Sequence, residues 1–392
     1  MKTRLHIAQI CPFYYPVIGG METHVQMLAE GLVSRGHKVT VLTTNSSRKG
    51  KIKEGYSKIN GVDVIRYPVL FPIISGAKFW PTCSVKVLIE NFDIIHTHNY
   101  RHPHGDLSAL AGKLRDIPSI LTTHDPIKET PLIAKFMEFY DRYLALFTTK
   151  LYDRIILISD GEISFFKSKG IHKRKLILIP NGVPDFYFKP GNGTSFRQKL
   201  GLNDSDFLIL QVSRIDYDKG MEFIIKAMPY VLKLIPSAKY IVVGPTTNIT
   251  LYNKLLKIIR HYNLDKNVIF TGPLSKEEVR NAYYACDVFV YIGLGQRSFS
   301  YGISTLEAMA VGKPVIINKN AEGGFIKNNI SGLMVRYGDV KNLVEILYKL
   351  YNNESFRKIL GRRARMIVSN FAWSRIVTKI ESVYYEVLKE RI

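Results

Sequence analysis

Arg214 and Lys219, in Val212-Ser213-Arg214-Ile215-Asp216-Tyr217-Asp218-Lys219-Gly220, set two cations just past the apolar run Phe207–Ser213. An arginine fork grips a phosphate with parallel N–H bonds, and a lysine adds a compact point charge. The combination suits a diphosphate leaving group. It also reads as two surface ion pairs, with Asp216 and Asp218, that contribute little stability. A second stretch, Tyr301-Gly302-Ile303-Ser304-Thr305-Leu306-Glu307-Ala308-Met309-Ala310, opens a predicted helix. Gly302, Ile303 and Ser304 would offer backbone N–H groups to an anion, and the Glu307 carboxylate would accept ribose hydroxyls. Ser304-x-x-Glu307 fits a capping box equally well. Spacing leaves both pairs of readings open.

Gly19-Gly20 falls between a strand-like run and a helix-like one, where glycine pairs often serve a turn. It lacks the spaced glycines and downstream acid of a dinucleotide fingerprint, as does Gly293-Leu294-Gly295, so NAD is not expected. The segment His96-Thr97-His98-Asn99-Tyr100-Arg101-His102-Pro103-His104 is rich in imidazole. No nearby cysteine or suitably spaced glutamate completes a tetrahedral set, so no metal is expected. His98, Tyr100 and His102 are assigned instead to hydrogen bonds with sugar or acceptor hydroxyls. His124 follows another strand-like run and reads as structural or ligand-facing. Residues 128–150 carry Phe136, Phe139, Tyr140, Tyr143, Leu146 and Phe147 at helical spacing. Core packing is the default reading there, and an interfacial helix is the alternative.

These groups need elements to hold them at strand ends. Strand-like runs at Leu5–Ile10, Lys38–Thr43, Val62–Tyr67, Asp93–His98, Ser119–Thr123, Arg154–Ser159 and Lys175–Pro180 alternate with amphipathic segments. After Pro190-Gly191-Asn192-Gly193 a second series runs through Phe207–Ser213, Lys239–Gly244, Val268–Gly272, Asp287–Ile292 and Pro314–Asn318. Repeated βαβ units imply parallel sheets covered on both faces. The expected architecture is α/β: two tandem Rossmann-like, doubly wound domains, with ligands beyond the carboxyl ends of the strands in a cleft between them.

The length of 392 residues and the 46% hydrophobic share suit two soluble domains. No apolar run approaches the roughly 18 residues that cross a bilayer. Met1-Lys2-Thr3-Arg4 leads directly into a strand-like run, so a cytoplasmic protein is expected. The 3 cysteines are scattered and form no disulfide framework or zinc motif. A net charge of +22 attracts polyanions, but its spread along the chain fits an acidic membrane surface better than nucleic acid.

With these loops in place, the chain resembles the retaining glycosyltransferases of family 4 (GT4), which have the GT-B fold. The likeness covers nearly the full length. It rests on Pro16–Gly20 with Arg35-Gly36-His37-Lys38-Val39, on Pro180-Asn181-Gly182-Val183, on Ser213-Arg214 with Lys219-Gly220, and on Gly302–Met309 with Gly312-Lys313-Pro314-Val315. Asn370-Phe371-Ala372-Trp373 resembles the start of a last helix that crosses back to the first domain. The resemblance implies an acceptor-binding domain at 1–186, a nucleotide-sugar domain at 187–370 and the returning helix at 371–392. It assigns Arg214 and Lys219 to the diphosphate, Glu307 to the ribose, and Gly302, Ile303 and Ser304 to the donor through backbone. His124 would face the transferred sugar, and Gly19 and Gly20 the donor phosphates or the acceptor. The donor is a nucleotide sugar, the acceptor lipid-linked, a glycan or a polyol, and no cofactor or metal is implied. One position departs: the family places a second carboxylate eight residues before Glu307, where this chain has Phe299. That change supports an alternative, a catalytically silent homologue that binds nucleotide sugar as a subunit or regulator.

Overall fold

The computed structural model describes residues 4–17, 19–47, 50–72, 78–124, 138–293, 302–319 and 324–391. The chain forms two compact units. One runs to Gly182 and resumes at Trp373; the other is Val183–Ala372.

The first unit is built on an eight-stranded sheet. Its strands are β1 (His6–Ile10), β2 (Lys38–Thr44), β3 (Gly55–Ile59), β4 (Val62–Tyr67), β5 (Ile94–His98), β6 (Ser119–Thr122), β7 (Arg154–Leu157) and β8 (Leu176–Leu178), in the order β8-β7-β6-β5-β1-β2-β4-β3. All neighbours are parallel except β3, which turns back on β4. Strand side chains alternate between faces. Ile7, Val39 and Val41 pack with Val25, Leu28 and Leu32 of the helix Gly20–Ser34. Ala8, Ile10 and Leu42 pack on the opposite face with Trp80, Cys83 and Val87.

The helix Trp373–Lys389 completes the first of these cores with Trp373, Ile376, Ile380 and Tyr384. It crosses the helix Gly20–Ser34 so closely that a Cβ on Gly31 would lie 2.5 Å from Val377. Gly182 is fixed for the same reason, since a Cβ there would lie 2.4 Å from the Trp373 ring. Next to it, Val183 N–H donates to Phe371 C=O, and Val183 bridges Ala372.

The second unit is a six-stranded, wholly parallel sheet of β9 (Phe207–Val212), β10 (Ala238–Val243), β11 (Val268–Gly272), β12 (Val288–Tyr291), β13 (Val315–Asn318) and β14 (Leu333–Val335). The order β11-β10-β9-β12-β13-β14 places the switch point between β9 and β12. Ile209, Tyr240, Val242 and Val290 face one layer of helices, with Ile224, Met228, Leu255 and Leu347. Leu208, Leu210, Ile241 and Phe289 face the other, with Tyr283, Leu306 and Met309. Loops after β9 and β12 therefore rise side by side from the switch point, where doubly wound sheets hold ligands.

Candidate functional site

In the second unit, glycine brings these two loops together. Gly220 has φ +70 and ends the short turn Tyr217–Lys219 before the helix Met221–Leu234. A Cβ on it would stand 1.8 Å from the Ile292 carbonyl oxygen, so only glycine fits. Gly293 approaches in return, with the Asp218 carbonyl 2.7 Å from where its Cβ would be.

That approach delivers Lys219 to the end of β12. Its buried Nζ donates to Tyr291 Oη at 3.0 Å and to Asp218 Oδ2 at 2.7 Å. Burial works against the ammonium, but Tyr291 and Asp218 outweigh it and hold the amine above its ordinary value. Lys219 is thus charged and aimed. Gly302 lies over the same Tyr291 ring, its would-be Cβ 3.2 Å from Cζ. Arg214 is more open and holds Asp216 across 3.5 Å. Both ion pairs of the plainer sequence reading therefore exist, and Lys219 also reaches the end of β12.

Glu307 sits in the helix Ile303–Val311. The capping-box reading fails: Gly302 is the N-cap, it has no side-chain cap bond, and Ser304 is already helical. A genuine box forms elsewhere, from Ser275 and Glu278. Glu307 instead accepts a hydrogen bond from Tyr283 Oη at 2.8 Å, and Tyr187 also donates to it. Burial pushes its carboxyl up to about 7, while the bonds from Tyr283 and Tyr187 pull it back down. The helix start presents the N–H groups of Ile303 and Ser304, which have no acceptor within the helix. Phe299 and Tyr301 lie outside the described residues.

In the first unit the sheet gathers histidines beyond β5 and β6. The set weighed in sequence does not assemble. His96 is buried between Tyr384 Oη and Thr122 Oγ1, each at 2.7 Å. His104 Nε2–H donates to the His98 carbonyl. His102 is the N-cap residue of the helix Pro103–Leu114, makes no side-chain cap bond and is half-buried. Tyr100, assigned to an acceptor, belongs to the core instead. Its hydroxyl donates to Asp141, which also takes a bidentate grip from Arg101. His98 and His124 do meet, with Nδ1 and Nε2 2.9 Å apart. His24, which the sequence did not single out, stands edge-on to His124 with ring centroids 4.7 Å apart. Gly19 and Gly20 start the helix that carries it, Gly19 being the extended N-cap.

Asn99, Arg101 and His124 all take positive φ just past β5 and β6. Such strain in non-glycine residues collects at functional sites. Burial holds His24 down to about 4 and His98 and His124 well below the ordinary range, so all three rings are neutral at pH 7.

The aromatic segment also departs from its default reading. Within residues 138–151, Phe139, Tyr143 and Phe147 are 63%, 62% and 58% exposed, and Leu144 is exposed as well. Ala145 and the polar Asp141, Thr148 and Thr149 face inward instead. Phe136 lies outside the described residues.

Comparison with known proteins gives the same outline. Residues 18–185 match the family described as Glycosyltransferase Family 4, and residues 193–366 match Glycosyl transferases group 1. An uncharacterised glycosyltransferase of Methanocaldococcus jannaschii is 25% identical, over 97% of this chain and 98% of its own length. The UDP-Gal:alpha-D-GlcNAc-diphosphoundecaprenol alpha-1,3-galactosyltransferase of Escherichia coli is 26% identical, over 76% of each chain. The crystal structure of Anabaena HepE in complex with UDP superposes with a TM-score of 0.80 at 19% identity, covering 97% of this chain and 100% of that one.

Proposed function

We propose that this chain, which belongs to the family 4 glycosyltransferases of GT-B fold, moves a hexose from a nucleoside-diphosphate sugar to a lipid-linked, glycan or polyol hydroxyl with retention at the anomeric carbon. The observation that carries the reading is the second unit's switch point. Lys219, Tyr291 and Gly302 converge there, with Arg214 on the same loop and Glu307 a turn inside the adjoining helix.

Arg214, Lys219 and the N–H groups of Ile303 and Ser304 are assigned to the diphosphate. They stabilise the charge that grows on it as the bond from C1 to the phosphate oxygen breaks. These groups supply the positive charge themselves, so no divalent ion is required at the diphosphate. Glu307, ionised and released from its tyrosines, accepts the ribose hydroxyls. The acceptor oxygen bonds C1 from the face the diphosphate leaves, and its proton passes to the departing phosphate oxygen. His124 is assigned to the transferred sugar, Gly19 and Gly20 to the donor phosphates or the acceptor, and His98 and His102 to the acceptor side.

A membrane-borne acceptor is supported by two features of this chain and by one relative. Phe139, Tyr143 and Phe147 share one helical face with Arg142 beside them, on a chain of +22 net charge. Aromatic and basic side chains on one helix face suit the headgroup region of an acidic bilayer. The Escherichia coli relative is named for an undecaprenol-linked acceptor. None of the helices among the described residues is long and apolar enough to cross a membrane. Peripheral attachment at the cytoplasmic face fits these observations.

The test is a thermal-shift screen with UDP-, GDP- and ADP-sugars, followed by product analysis with the best donor. A donor that shifts the melting point and is consumed, with transfer lost in Arg214→Ala, supports the reading. Undiminished turnover in Arg214→Ala would end it.

A further inference from the structure

We propose that His24, His98 and His124, all in the first unit, form a binding site for a divalent transition metal of the zinc class. One ring nitrogen from each lies within 4.8 Å of the other two. They come from three elements: the helix Gly20–Ser34, the end of β5, and the loop after β6.

The tautomers are set by the next layer of side chains. His24 Nδ1–H donates to Asn181 Oδ1 at 3.0 Å, which leaves the lone pair on Nε2. That Nε2 is buried and meets no hydrogen-bond partner. An unmet buried acceptor is costly and calls for an explanation. For His98 the chain of bonds is longer. Tyr384 Oη donates to His96 Nδ1 and accepts from Gln9 Nε2, so Gln9 Oε1 faces His98 Nε2 at 2.6 Å. His98 therefore carries its proton on Nε2 and its lone pair on Nδ1. Two of the three imidazoles thus hold a backed, outward lone pair, the arrangement carbonyl groups impose on metal-ligating histidines. The third, His124, donates its Nε2–H to the His98 Nδ1 lone pair at 2.9 Å in the metal-free chain, and a metal ion would replace that hydrogen bond and leave the His124 proton on Nδ1.

The donor set and spacing suit the proposed ion. Imidazole nitrogens favour zinc, cobalt, nickel and copper over magnesium or calcium. Metal–nitrogen bonds of about 2.0–2.1 Å in a tetrahedron set the ligand nitrogens roughly 3.4 Å apart. The three nitrogens lie within 4.8 Å of one another, so reaching that spacing means opening the 2.9 Å His98–His124 pair and drawing His24 in. Three protein ligands leave a fourth position open. The ion would tie His124, just past β6, to the first helix, whether or not the chain transfers sugar.

The test uses the full chain without a polyhistidine tag, stripped with a chelator and titrated with Co²⁺. One Co²⁺ per chain is expected, with the visible absorption of a tetrahedral nitrogen site. His124→Gln and His24→Gln should abolish that absorption, and Asn181→Ala should weaken binding about 10- to 100-fold. His261→Gln, an exposed histidine of the second unit, should bind as the parent does. Melting curves of each variant exclude loss by unfolding, and His124→Gln, only partly buried, is the variant least prone to it. Absence of saturable binding, or binding unchanged in both His24→Gln and His124→Gln, would overturn the proposal.

Discussion

Lys219, in the turn after β9, and Tyr291, the last residue of β12, are joined by a 3.0 Å hydrogen bond at the switch point of the second sheet. The phenol steadies a lysine that would otherwise swing to Asp218 alone, and its ring also supports Gly302 at the helix start. Removing the ammonium by Lys219→Ala should lower kcat/KM about 10²–10³-fold, the usual loss for one preorganised donor to developing charge. Tyr291→Phe keeps the ring and loses one hydrogen bond, so a loss of about tenfold or less is expected, near 1 kcal/mol. Steady-state kinetics on the donor found by the thermal screen measures both.

Glu307 links pH to both stability and binding. Its carboxyl is raised from 4.5 to about 7 by burial, so its charged form is the disfavoured one in the folded chain. The associated stability is fully present below about 4.5 and is lost as pH rises through about 7. Glu307→Gln should therefore flatten the fall in melting temperature between about pH 5 and pH 8. The ribose needs the ionised form, so nucleotide affinity of the parent should rise across the same interval, and the variant should lack that rise. A parent whose melting point climbs from pH 5 to pH 8 while that of Glu307→Gln stays level would refute this account.

Gly220→Ala places a methyl group against the Ile292 carbonyl and a side chain at φ +70. The strained backbone alone costs roughly 1–3 kcal/mol, and the clash adds to it. Calorimetry should show a melting point lowered by several degrees, together with lost nucleotide affinity. Gly201→Ala is the control: it has φ +62 with nothing near its would-be Cβ, so it should lower the melting point less and leave nucleotide binding intact.

The exposed ring face of residues 138–151 makes a separate prediction. Phe139→Ser with Phe147→Ser should reduce sedimentation with vesicles rich in anionic lipid while leaving the melting point nearly unchanged, because both rings are solvent-facing. Equal binding to zwitterionic and anionic vesicles would count against the charged half of the argument.

The parallel strands were legible because both faces of each sheet are covered, which makes their sequences short continuous apolar runs. Twelve parallel strands were marked by such runs, Phe207–Val212 among them, and the short parallel strand Leu333–Val335 was not. The edge strand Gly55–Ile59 was not foreseen, since it is mostly exposed and polar. Its signal was the turn Asn60-Gly61, both at positive φ, which closes a hairpin onto Val62–Tyr67. At the site, Arg214, Lys219 and Glu307 could be named because each sits in a local pattern. Tyr187, Tyr283 and Tyr291 could not, for a tyrosine inside an apolar run looks like core until its hydroxyl partner is known. His24 was hidden in the same way, on a helix face that packing alone would explain. Tyr100 was misread for the converse reason: Asp141, which takes its hydroxyl, lies far along the chain.

The chain passes from the first unit to the second at Gly182 and returns at Trp373. Synthesis from the ribosome therefore cannot finish the first unit in order. Val183–Ala372 is contiguous and can fold as soon as it emerges, whereas Ile7, Val25 and Leu28 wait uncovered for Trp373, Ile376 and Ile380 to arrive last. A fragment cut at residue 186 would carry a permanently bare apolar layer, so the nascent first half depends on its own tail to escape aggregation.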